Sequence, residues 1–116
     1  MAIRRIEVGP RMSQAVVHGN TVYLAGQVAS NPTPSVAEQT RQIVAQIDKL
    51  LKDAGSDKTK LLSATIYLAD IRTFADMNGV WDGWVSAGNT PARATVEAKL
   101  AGPQYLVEIA IIAALD

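Results

Sequence analysis

Two charged residues stand where an apolar sheet would not place them. Arg93 lies in Asn89-Thr90-Pro91-Ala92-Arg93-Ala94-Thr95-Val96-Glu97-Ala98, and Glu108 in Tyr105-Leu106-Val107-Glu108-Ile109-Ala110-Ile111-Ile112. Both segments read as strands. Pro91 sets its own φ and pushes Thr90 toward extended geometry, so a strand starts just after it. From there Ala92, Ala94, Val96 and Ala98 point one way, and Arg93, Thr95 and Glu97 the other. In the second segment Val107, Ile109 and Ile111 share a face, opposite Leu106, Glu108, Ala110 and Ile112. A carboxylate in such a run is costly without a cation, a donor or water beside it. Arg93 is a candidate partner. An arginine and a glutamate at the edge of an apolar cavity make a candidate site for a small carboxylated molecule. By themselves the two residues fit a structural ion pair across subunits better than a site.

The elements that must position them follow from the rest of the chain. Ile3 to Val8 alternates as a first strand and breaks at Gly9-Pro10. Ser13 to His18 and Thr21 to Gly26 flank Gly19-Asn20 as a hairpin. His18 adjoins that turn and reads as an exposed strand-end residue. Ser35 and Glu38 have capping-box spacing. Behind them Val36, Thr40, Ile43, Val44, Ile47, Leu50, Leu51 and Ala54 form the apolar stripe of a helix that stops at Gly55. Gln39 is assigned to its polar side. Lys60 to Ala69 reads as a strand. Asp70 then caps a second helix, from about Ile71 to Val85, with Phe74, Met77, Val80, Trp81, Trp84 and Val85 on its apolar face. Gly79 and Gly83 weaken that helix, which predicts a tertiary reason for them.

The order β-ββ-α-β-α-ββ predicts a two-layer α+β domain spanning residues 1–116. Two helices cover one face of its sheet. The other face is expected to carry Leu106, Ala110 and Ile112 together with Arg93 and Glu108, and to be covered by another copy of the chain.

Composition narrows the function. The 116 residues hold eleven basic and eleven acidic side chains, no cysteine and one histidine. A formal charge of zero supplies no concentrated positive surface, so no nucleic-acid partner is expected. Without cysteine there is no disulfide framework, thiolate nucleophile or thiolate metal site, and one histidine argues against zinc. No apolar run is long enough to span a bilayer, and Met1 to Val8 has no apolar stretch of signal-peptide length. The expectation is a cytoplasmic protein without a membrane partner.

The chain resembles the RidA/YjgF reactive-intermediate deaminase family over essentially its whole length. The resemblance is carried by Gly19-Asn20 with Ala25-Gly26-Gln27-Val28, by the helix bearing Asn78, by Pro91-Ala92-Arg93-Ala94-Thr95-Val96 and by Val107-Glu108-Ile109. It implies a chorismate-mutase-like α+β fold, a homotrimer with clefts between subunits, and hydrolysis of 2-imino or enamine acids to 2-oxo acids and ammonia without a metal or organic cofactor. It implies that Arg93 binds the substrate carboxylate and Glu108 positions or activates water. Thr95 then lies beside the imine, and Asn78 is a polar pocket residue. A guanidinium fork suits the first task, because two parallel bonds fix a carboxylate as lysine does not. Two positions depart from the family. Met12 stands where a pocket tyrosine is common, and Ala25 where a serine is common, each removing a hydroxyl. Non-catalytic binding of 2-oxo acids or amino acids, or a scaffold role, is the alternative on the same fold.

Overall fold

The computed structural model describes residues 1–116 as six strands and two helices. They are β1 (Ile3–Val8), β2 (Ser13–His18), β3 (Thr21–Leu24), α1 (Val36–Ala54), β4 (Leu61–Leu68), α2 (Phe74–Trp84), β5 (Ala92–Glu97) and β6 (Val107–Ala114). The strands form one sheet in the order β1-β2-β3-β6-β4-β5, antiparallel except for the parallel pair β4–β5. A parallel neighbour needs a crossover, and α2 lies within it. This is the two-layer α+β architecture expected from the element order.

The helices pack on one face through alternating strand residues. Ala15, Val17, Val22, Leu24, Ala64, Ile66, Leu68, Ile109 and Ile111 are buried against Ile43, Ile47, Leu51, Met77 and Trp81. All eight residues of the expected α1 stripe are buried. Ser35 Oγ accepts from the Glu38 N–H at 3.1 Å. The return half of the capping box is absent, because the Glu38 carboxylate turns outward to Arg41 at 3.1 Å. At the other end Gly55 adopts φ 91° and the Ser56 N–H returns to the Leu51 carbonyl, which closes the helix.

Gln39 lies inside the protein, not on the polar side of α1. Its Nε2 donates to the carbonyls of Thr33 and Gln104 at 2.6 and 2.9 Å, and its Oε1 accepts from the Leu106 N–H at 3.0 Å. A buried amide is stable there because its donors and acceptor are used. It ties the Gly102–Leu106 connection to α1, two residues ahead of Glu108. Leu106 consequently packs against the core, rather than joining the open face.

The second helix begins later than its pattern suggests. Asp70 caps a 3-10 turn over Ile71–Thr73, accepting from the Arg72 N–H at 2.9 Å, and α2 proper starts at Phe74. The Arg72 side chain bonded to Asp70 also holds that carboxyl below its usual range. Gly79 and Gly83 face solvent, and an added Cβ at either meets nothing within 4 Å. The protomer therefore holds no packing reason for them. Gly79→Ala and Gly83→Ala are each expected to stabilise the protein by up to ~1 kcal/mol through helix propensity. Thermal melts at one protein concentration test this. A lowered melting temperature would mean that a subunit covers this side of α2.

Candidate active site

The register places Arg93 and Glu108 on opposite faces of the sheet. Residues paired across neighbouring strands share a face, and successive residues alternate. Arg93 pairs with Ala64 and Thr95 with Ile66, so both lie on the face under the helices. Glu108 pairs with Tyr67, which pairs in turn with Val96, and this row lies on the open face. The expectation that one open face carries both charges is thus corrected. The alternation within each strand is as read, but the two strands meet β4 in a register that sets the charges apart. Along β4 they are three residues apart, ~10 Å, and β5 is two strands from β6, another ~10 Å. No small molecule could touch both side chains of one protomer through the sheet.

Arg93 is held by α2. Its Nη1 donates to Asn78 Oδ1 at 2.8 Å. Its guanidinium carbon lies 5.6 Å from the Phe74 ring centre and 5.5 Å from that of Trp81. Residues 74, 78 and 81 follow i, i+4, i+7 spacing, so one helix face delivers all three. Reading the aromatic stripe as core packing is right for Trp81 and Trp84, both buried with centroids 5.3 Å apart. Phe74, 38% exposed, serves the arginine rather than the core, and Trp81 does both. The spacing of Phe74, Asn78 and Trp81 was the signal for it.

Neither charge is neutralised within the protomer. Its ion pairs are Glu38–Arg41, Glu7–Lys49, Lys49–Asp53 and Asp70–Arg72. Thr95, half-buried beside Arg93 on the same face, has a buried Oγ1 without a hydrogen-bond partner. Such a group costs about 1–3 kcal/mol unless something completes it.

Glu108 is half-buried and lies against Gly26. A Cβ at Gly26 would overlap Glu108 Oε2 and lie 2.9 Å from Cδ. Gly26 is fixed in place by its neighbours. Ala25 N–H donates to the Gln14 carbonyl at 2.8 Å, and Gln27 and Ile109 exchange backbone bonds of 2.8 and 3.0 Å. Ala25 is therefore next to the carboxylate's seat. Met12 lies in the β1–β2 connection, 49% exposed. The open face around Glu108 mixes apolar and aromatic residues, Tyr23 46% and Val96 44% exposed, with the hydroxyl side chains of Thr65 and Ser63 in the rows beyond Tyr67.

The largest cavity of the protomer, about 500 Å³, is lined by Pro34, Ser35, Val36, Asp70, Asp76 and Leu106 among others, and by neither candidate residue. A second, of about 360 Å³, reaches Gly26 from the side of Gln27, Gln46 and Lys49. The candidate site is not a closed pocket of one chain.

This arrangement defines a class: a two-layer α+β domain whose open sheet face presents a glutamate and whose edge strand presents an anchored arginine. The chain belongs to the YjgF/RidA family. The family model described as Endoribonuclease L-PSP matches residues 3–115. A RutC family protein of Escherichia coli, YoaB, is 49% identical over 115 residues, covering 99% of this chain and all of that one. A RutC family protein of Haemophilus ducreyi is 41% identical over 114 residues, covering 98% of this chain and 97% of its own. The crystal structure of a YjgF family member from Neisseria meningitidis superposes with a TM-score of 0.97 at 50% identity, covering 100% of this chain and 97% of that one. No helix is long and apolar enough to cross a membrane.

Proposed function

We propose that this chain hydrolyses 2-imino and enamine acids to 2-oxo acids and ammonia, in clefts between the subunits of a homotrimer. The observation that carries this reading is the pair of unneutralised charges on opposite faces. Arg93 is anchored yet has no acidic partner, and Glu108 stands on the open sheet face without a cation. A second copy whose β5 edge lies over the first copy's open face brings one of each together. Because the two contacting surfaces differ, the contact is heterologous, and three copies close it as a ring. Burial of Tyr23, Val96 and Ile112 drives that contact.

In the cleft Arg93 holds the substrate carboxylate by its fork, which fixes the 2-carbon. Glu108 takes a proton from water as the oxygen attacks that carbon and passes it to nitrogen, giving a carbinolamine. It then carries the carbinolamine's hydroxyl proton to nitrogen as the carbon–nitrogen bond breaks and the carbonyl forms, so ammonia leaves with the 2-oxo acid. One water is consumed and no redox change occurs. An enamine first gains a proton at its 3-carbon and loses one from nitrogen to become the imine. The Thr95 backbone, next but one to Arg93 on β5, helps to place the imine nitrogen or the attacking water. Met12 and Ala25 contribute no hydroxyl, so Arg93, Glu108 and Thr95 carry the polar contacts.

The description of the family model names an endoribonuclease, but a formal charge of zero gives this chain little to hold a phosphate backbone. The test is to generate imino acids in situ with an amino-acid oxidase and follow the imine directly. Faster disappearance with the protein present is expected. No acceleration across aliphatic, aromatic and acidic imines would sink the deaminase reading, and thermal stabilisation by 2-oxo acids without turnover would favour a binding protein.

A further inference from the structure

We propose that Asn78 is a positioning residue whose neutrality keeps Arg93 charged and open toward a carboxylate. The inference deepens the reading of the cleft above and rests on it. Arginines inside proteins are usually anchored by carboxylates, which orient the guanidinium and cancel its charge together. Here those two effects are separated. One amide oxygen, Asn78 Oδ1, takes one Nη1 hydrogen at 2.8 Å, and the Phe74 and Trp81 rings, 5.6 and 5.5 Å away, hold the cation by their π faces. None of the three carries a formal charge. The edge formed by Nε and Nη2 makes no hydrogen bond within the protomer, and that edge matches the two oxygens of a carboxylate.

The geometry also says what an acid at residue 78 would do. Asn78→Asp keeps size and shape and places a carboxylate 2.8 Å from Nη1, where Asn78 Oδ1 now sits. The arginine would then form an internal ion pair, and the incoming carboxylate would meet a neutralised cation beside a like charge. Asn78→Ala removes the anchor but leaves the charge free. The two variants therefore rank in an order that a merely structural role would reverse. If Asn78 only stabilised α2 against β5, the near-isosteric aspartate would be the milder change.

The experiment compares wild type, Asn78→Asp and Asn78→Ala as trimers of verified mass. It measures 2-oxobutanoate binding by calorimetry and the kcat and KM of imine hydrolysis. Expected for Asn78→Asp is a dissociation constant and KM raised at least tenfold, with kcat changed less than threefold and no fall in melting temperature. Expected for Asn78→Ala is a smaller rise in both. Asparagine-like binding by the aspartate variant, or a larger loss in the alanine variant, overturns the proposal. So does a wild type to which 2-oxobutanoate does not bind at millimolar concentration. A wild type that binds it without hydrolysing any imine removes the deaminase reading, while the ranking of the two variants still decides the role of Asn78.

Discussion

In the proposed trimer, Arg93→Ala and Glu108→Ala chains, each inactive alone, are expected to regain about a quarter of wild-type activity when unfolded together and refolded as an equal mixture. The fraction follows from the register. Arg93 is on the helix-covered side of β5 and Glu108 on the open side of β6, so a cleft holding both draws them from two chains. In a random mixture one cleft in about four pairs an intact arginine from one chain with an intact glutamate from the next. The parent losses should be large. Removing the fork forfeits two charged hydrogen bonds of ~1.5–3 kcal/mol each, or about 10²–10⁴ in kcat/KM. Removing the general base costs about 10²–10⁴, mainly in kcat. Recovered activity should carry wild-type KM, because each restored cleft is complete. Mixed trimers of confirmed composition that stay inactive would rule out a shared cleft. Either single variant retaining full activity would remove that residue from the mechanism.

The sequence held the elements of this fold, and its limits are local. Strand alternation and the α1 stripe are strong because each buried residue repeats at a fixed period, and all six strands and both helices appear in the expected order. Alternation says which residues of one strand share a face. It does not say how two strands align, and one step of register reverses every side chain. That is why Arg93 and Glu108 were both expected on the open face. The parallel pairing of β4 with β5, which puts Arg93 beside Ala64, is set by a crossover that no short motif encodes. The burial of Gln39 departs from its pattern for a related reason. Its polarity points to solvent, and only the fold brings the Thr33, Gln104 and Leu106 backbone to it. Phe74, Asn78 and Trp81 were legible as one helix face, but their common object was not, since it lies on a strand twelve residues or more away in the chain. The candidate charges stood out because burying them has a cost that apolar neighbours do not share. What holds them is visible only in three dimensions.

Gly26→Ala is expected to lower imine hydrolysis by ~10² or more while the trimer and its melting temperature stay close to wild type. The added methyl would enter the space of the Glu108 carboxylate, overlapping Oε2 and lying 2.9 Å from Cδ. Two features keep the cost out of the fold. Gly26 is not among the glycines with positive φ, so alanine meets no backbone strain there. The atoms it meets belong to the flexible end of a side chain, which can swing aside by rotation. Swinging aside is what a water-positioning carboxylate cannot do without loss, because proton transfer needs heavy atoms within about 2.6–3.2 Å. A double-mutant cycle separates this steric route from any other effect of the methyl. If the methyl acts through the carboxylate, Gly26→Ala should cost nothing further in a Glu108→Ala background. Additive losses would mean that Gly26 acts on the substrate or the subunit contact directly. A Gly26→Ala enzyme at full rate would show that the Glu108 carboxylate has a second productive seat, and would free position 26 from the site altogether.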